Sequence, residues 1–283
     1  MPDLIYQMRG GGASAMELIA LRWHSGVMDR LAIIDSESQR FAEALSAVDP
    51  ASECPTCPDW TASDLLWHLT NVHFFWAGIL ERRIQSPGDL PAVERAKPER
   101  PATLAELLRL REQATAALLR ELADRDDAEP CWSWWPPDQT VGFTRRMQTY
   151  EATMHRVDAE LTAGTSVTPV SAEVSAGALD HAVDVMWGWM PEGASYRAQA
   201  VLEFVATDTP QTWLVEVGAW TGTGEDAAGP RAVRAAAGAP TATVRGSAED
   251  LALWAWTRGG AVQTSGQPAS LAAMDAVLTQ GMP

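Results

Sequence analysis

Between Met28 and Gly164 the chain repeats one pattern four times: apolar residues at helical spacing, with a capping residue ahead or a Pro or Gly behind. Helix one begins at Met28, carries Leu31, Ile34, Phe41, Leu45 and Val48 on its apolar stripe, and ends at Asp49-Pro50. Thr61 can cap helix two, about Ala62 to Arg83, with Asp64 at the positive end of its dipole. That helix is apolar on most sides and is expected to be the most buried. Thr103 and Glu106 form a capping box for helix three, whose stripe runs from Leu104 to Leu122. Helix four spans about Phe143 to Ala163 and is closed by Gly164. Four such helices predict a bundle.

The 283 residues leave room for about one more domain. Residues 1–27 lack sustained periodicity and read as an N-terminal extension, 28–165 as the bundle and 166–177 as a linker. Residues 178–283 have a different texture, with a helix at about Ala178–Met190, strands at Ala200–Val205, Trp213–Val217 and Ala242–Gly246, and helices at Ala248–Thr257 and Leu271–Leu278. This second domain reads as α+β. The Pro-rich stretch Ser86–Pro101 is expected to be a connection, and Gly222–Pro240 a mobile loop.

Acidic residues outnumber basic ones, 37 to 21, for a formal net charge of −16, which argues against a nucleic-acid partner. Three cysteines are too few for a disulfide scaffold and fit a reducing cytoplasm. No stretch approaches the roughly 18 consecutive apolar residues of a membrane span. The expectation is a cytoplasmic protein without a membrane partner, monomeric or homodimeric.

Glu151 and His155 are four residues apart on helix four, so their side chains share a face about one turn apart. His68 sits on the otherwise apolar helix two, which a bundle can bring against helix four. Two imidazoles and a carboxylate would hold a divalent metal such as zinc and leave a coordination position open, the pattern of a catalytic site. On spacing alone the same residues also read as a surface pair and a satisfied core histidine.

Two segments carry a resemblance. Cys57-Pro58-Asp59-Trp60-Thr61-Ala62-Ser63-Asp64-Leu65-Leu66-Trp67-His68-Leu69, paired with Glu151-Ala152-Thr153-Met154-His155-Arg156-Val157-Asp158-Ala159-Glu160, resembles the two signatures of mycothiol-dependent maleylpyruvate isomerase-like proteins. The resemblance runs from Met28 to the end. It implies a DinB-like four-helix bundle followed by a smaller α+β domain, with His68, Glu151 and His155 as ligands of zinc or another divalent metal. It also implies mycothiol as a thiol cofactor and an arginine from the second domain at the active site. Arg258 is the match chosen, with Arg245 as a competitor. The family's usual Cys-Pro-Gly-Trp is Cys-Pro-Asp-Trp here.

A free thiol, with a pKa near 8.5, is only slightly ionised at neutral pH, and a divalent metal shifts it to thiolate. With a small unsaturated acid as substrate, thiolate addition, rotation and elimination would isomerise a double bond, and Arg258 could pair with a carboxylate. Release of the adduct would instead make the protein a mycothiol S-transferase. A non-catalytic small-molecule or protein-binding protein on the same scaffold is a third possibility.

Other residues invite both functional and structural readings. Cys54 and Cys57 form a CxxC without a second such pair, more in keeping with a fixed loop than with redox chemistry. Cys131, Trp132, Trp134 and Trp135 either line an apolar substrate pocket or pack. His73 lies about 140° around the helix from His68 and should not be a fourth ligand. His181 and Asp184 read as a structural helical pair, and Asp158 either orients a ligand or pairs on the surface.

Overall fold

Capping side chains open the long helices of the N-terminal half, at Thr61 and Thr103 as the sequence predicts and at Asp29 and Thr140 beyond it. In the computed structural model, which describes residues 28–222 and 227–282, Asp29 accepts a hydrogen bond from the Ala32 N–H and opens α1 (Arg30–Ser46). The expected extension 1–27 lies outside the described residues. Thr61 and Asp64 complete a reciprocal capping box at the head of α2 (Ala62–Glu81). The connection after it is not featureless: Pro87–Asp89 makes one tight turn, and α3 (Leu90–Ala96) seats Val93 in the core. Thr103 and Glu106 cap α4 (Leu104–Ala123) in the same way, and Thr140 caps α5 (Val141–Thr162) through the Phe143 N–H.

The most buried helix is α5, not α2. Its Tyr150 and Met154 belong to the core of the second domain, so α5 is covered from both sides. Polar residues are buried along it too, which hides its central position from a hydrophobicity reading. Arg156, fully buried, donates to Glu37 of α1 at 2.6 Å and to Glu160 and the Thr168 carbonyl at 2.8 and 2.7 Å.

Ser171 caps α6 (Ala172–His181), which starts earlier than expected and runs into a wider π turn over Ala182–Met186. A five-stranded sheet follows in the order β3-β2-β1-β4-β5. Its strands are β1 (Ser195–Ala206), β2 (Thr212–Thr221), β3 (Ala228–Arg234), β4 (Ala242–Gly246) and β5 (Gln263–Gly266), with α7 (Ala248–Ala255) between β4 and β5 and α8 (Pro268–Thr279) last. Among the described residues only β1 and β4 pair in parallel. Trp213, Val215 and Val217 alternate inward on β2.

Strand β3 lies within the stretch read as a loop. Gly229 and Pro230 disguise it, and an edge position is where a sheet tolerates proline. The opposite edge, β5, is exposed along its length and has no apolar alternation to reveal it. The second domain is therefore α+β as expected, with two edge strands that the pattern does not disclose. No helix among the described residues is long and apolar enough to cross a membrane.

Candidate metal centre and its cavity

Helices α2 and α5 bring His68, Glu151 and His155 to one point. The Nε2 atoms of His68 and His155 lie 3.2 and 3.3 Å from the same Glu151 oxygen, Oε1. The three donor atoms are all within 4.8 Å of one another. His155 is buried, whereas His68 and Glu151 are partly open. Burial alone would push the Glu151 carboxyl up, but hydrogen bonds from both histidines hold it well below the ordinary carboxylate range. Two imidazoles with one carboxylate are a donor set that suits zinc and other divalent ions, so the residues fit the metal their spacing suggested.

Behind this cluster sits Asp158, fully buried. Its Oδ2 lies 2.9 Å from His155 Nδ1, and because an ionised carboxylate only accepts, Nδ1 carries the proton and Nε2 faces Glu151. Burial opposes ionisation of Asp158, but His155 and Arg258 hold its carboxyl well below the usual range. Burial likewise opposes charge on His155, yet hydrogen bonds to Asp158 and Glu151 raise it to about 9. Thr56 donates to Asp158 Oδ1, and the Cys57 thiol to Oδ2 at 3.7 Å.

Arg258 arrives from the second domain and donates to both Asp158 oxygens at 2.9 Å. Its Nη1 donates at 2.7 Å to the carbonyls of Trp256 and Met282. The preceding residue, Thr257, has φ 61°, a left-handed conformation costly for a β-branched residue, which turns the chain so that Arg258 points back into the bundle. Its guanidinium fork is filled by Asp158 and does not line the cavity; Arg245, the competitor, is exposed on β4. Cys57, His155 and Asp158 also lie close enough to bind an ion, but Arg258 already occupies both Asp158 oxygens.

Trp60 flanks the cluster, its ring 4.7 Å from that of His68 and 6.4 Å from that of His155. Asp59 before it has φ 69°, so the position where the resembling family usually has glycine is a left-handed one. Cys54, Cys57 and Cys131 are reduced and buried. His73 faces away, its Nδ1 3.0 Å from Thr115 Oγ1 on α4. His181 does not pair with Asp184, which holds Arg234 instead.

His68 and Glu151 line a cavity of about 520 Å³ whose wall is mostly aromatic and sulfur-bearing: Phe75, Trp76, Trp134, Met147, Trp189 and Trp256. The tryptophan loop is fixed there. Gln139 Nε2 donates to the Ser133 and Trp135 carbonyls, and Trp134 Nε1 donates to Met147 Sδ at 3.3 Å. Of two further lining residues, Gln148 carries no expectation from the sequence, and His181 reads there as structural only. Gln148 sits one turn before Glu151, a signal that was available. His181 is placed by docking of the second domain, for which no local pattern exists.

A helical bundle with a His/Glu/His cluster, joined to a small α+β domain, defines the class as DinB-like. Residues 31–160 match the family model described as Mycothiol maleylpyruvate isomerase N-terminal domain. A crystal structure of the mycothiol-dependent maleylpyruvate isomerase shares the fold, with TM-score 0.56 and 17% identity over 85% of this chain and 94% of that one. The structure of a histidine-to-alanine mutant of that isomerase matches with TM-score 0.57 and 16% identity over the same shares. None of the curated proteins matches this chain in sequence.

Proposed function

We propose that this chain is a divalent-metal- and mycothiol-dependent enzyme acting on an electrophilic small molecule in the cytoplasm. The observation that carries the reading is the convergence of His68, Glu151 and His155 beside an apolar cavity. A divalent ion such as zinc held by these three residues would supply a thiol as thiolate at neutral pH.

The chain's own side chains prepare that site. Asp158 fixes the His155 tautomer, and Arg258, Thr56 and Cys57 hold Asp158 in place, so Arg258 acts as a positioning residue through Asp158. Glu151 stays anionic because both histidines face it. The aromatic wall limits water around the reacting atoms.

Addition of the thiol to a carbon–carbon double bond leaves a single bond free to rotate. Elimination then gives the cis–trans isomerised product, and release of the adduct gives an S-conjugate. Both outcomes begin with the same addition, so the site serves an isomerase and an S-transferase alike.

The test is metal content of tag-free protein purified without chelator, alongside His155→Ala. About one zinc per chain in the parent and little in the variant is expected, since loss of a ligand leaves only two donors. Absence of metal from both, even after zinc is added back, would overturn the enzyme reading in favour of a binding protein on this scaffold.

A further inference from the structure

We propose that the cavity beside the metal cluster takes an uncharged aromatic electrophile carrying one carbonyl oxygen, which the side chains of Gln148 and His181 receive. The chemistry rests on the thiol-dependent reading, while the substrate class rests on the cavity wall.

Among the described residues, the side chains of that wall offer an anion no arginine or lysine to pair with, and Arg258 is committed to Asp158. Three arginines line a second cavity of about 640 Å³, where Arg30 donates to the Tyr150 hydroxyl and the other two are matched by acids. Arg146 pairs with Asp138, and Arg234 with Asp180 and Asp184. The net charge of −16 repels anions at longer range as well. A dicarboxylate would therefore meet no fixed side-chain cation, whereas an aryl ring meets four tryptophans and a phenylalanine.

Two polar groups in the wall lack partners. Gln148 is fully buried, and neither its Oε1 nor its Nε2 has a hydrogen-bond partner; His181, also buried, has an unpartnered Nε2. A buried amide left unpaired is costly, so a ligand that satisfies it gains affinity and orientation. Burial holds His181 down at about 4, so at neutral pH it is an uncharged imidazole suited to an uncharged oxygen.

An aryl enone meets these requirements. The thiol sulfur bonds to the β-carbon as the carbon–carbon π bond breaks. The electron pair moves toward the carbonyl oxygen beside Gln148 and His181, and the thiol proton ends on the α-carbon. No group is oxidised or reduced.

Three probes of one shape separate the contributions: benzylideneacetone, its carboxylate counterpart cinnamate, and β-methylstyrene, which lacks the oxygen. Binding is read by quenching of tryptophan fluorescence and by calorimetry, on full-length protein with zinc and after chelation, in both cases without thiol. In the chelated protein benzylideneacetone is expected to bind roughly tenfold more tightly than cinnamate and several-fold more tightly than β-methylstyrene. Gln148→Leu should remove the preference over β-methylstyrene, and Trp134→Ala should weaken both uncharged probes.

Cinnamate binding as tightly as the ketone would overturn the proposal, as would equal binding of the ketone and β-methylstyrene. These comparisons need no variant, so they decide the matter even if Gln148→Leu fails to fold. Ketone preference without zinc binding would sink the thiol-dependent reading alone. Zinc binding with cinnamate preference would sink this proposal alone.

Discussion

Asp158 has no exposed surface, yet it stays ionised because His155, Arg258, Thr56 and Cys57 all face it. That arrangement makes it the residue that orients His155 in the proposed metal site without being one of the three candidate ligands. Asp158→Asn keeps its shape but replaces one acceptor with a donor, so the His155 Nδ1–H loses its partner and the Arg258 charge is left buried and uncompensated. Zinc affinity should fall about 10–100-fold, as for other outer-shell partners of a ligating histidine. Stability should fall by roughly 3 kcal/mol, the usual result of orphaning a buried charge. Pairing Asp158→Asn with Arg258→Met should restore part of the stability and none of the zinc affinity. Chelator competition and urea melts read the two effects separately, and unchanged zinc affinity in Asp158→Asn would remove its positioning role. Of these residues, the convergence of His68, Glu151 and His155 was legible from a shared helix face and a family resemblance. The contacts of Asp158 were not, because Cys57 and Arg258 lie 101 and 100 residues away in sequence.

At the scale of elements, the caps and apolar stripes made the four long helices legible, since both signals are local. Where local signals fail, so did the reading: α3 hides in a Pro-rich run, β3 contains Gly229 and Pro230, and β5 is wholly exposed. The interfaces between elements also set a pH dependence. Burial lowers His73, between α2 and α4, to about 3, and lowers His181, at the end of α6, to about 4. Both folded values lie below the ordinary 6.5, so protons favour the unfolded chain. The stability of the neutral forms is complete above about 6.5 and is lost as pH falls toward 4, by roughly 2–3 kcal/mol for each histidine at about pH 4.5. His155, raised to about 9, has the opposite slope, but only above 6.5. Urea midpoints in chelator, followed from about pH 6.5 down to 4.5, should therefore fall steeply. His73→Gln, which can keep a bond to Thr115, should flatten that fall by about half, one of two contributing histidines being removed. An equal slope in the variant would exclude His73 as a source.

Over the whole molecule, the candidate metal site belongs to the bundle, but the arginine that holds Asp158 behind it comes from the other domain. Arg258 crosses to Asp158, and Trp256 Nε1 donates to the Ala178 carbonyl at 3.0 Å, tying the segment after α7 to α6. Binding and docking must then be coupled, because linkage is reciprocal: if a docked Arg258 strengthens zinc binding by some factor, bound zinc strengthens docking by the same factor. Arg258→Met retains much of the side-chain volume and all three ligands, yet leaves the Asp158 charge without its main counterion. Zinc affinity is expected to drop about tenfold, within the range for outer-shell partners. Hydrogen exchange reads the reverse direction. In the parent chain, zinc should slow exchange at the amides of Trp256, Thr257 and Arg258, although none of them is among the three candidate ligands. In Arg258→Met that slowing should vanish while protection near His68 and His155 persists at saturating zinc. Equal zinc protection of the 256–258 segment in both proteins would mean that the two domains are joined mechanically but not energetically through Arg258.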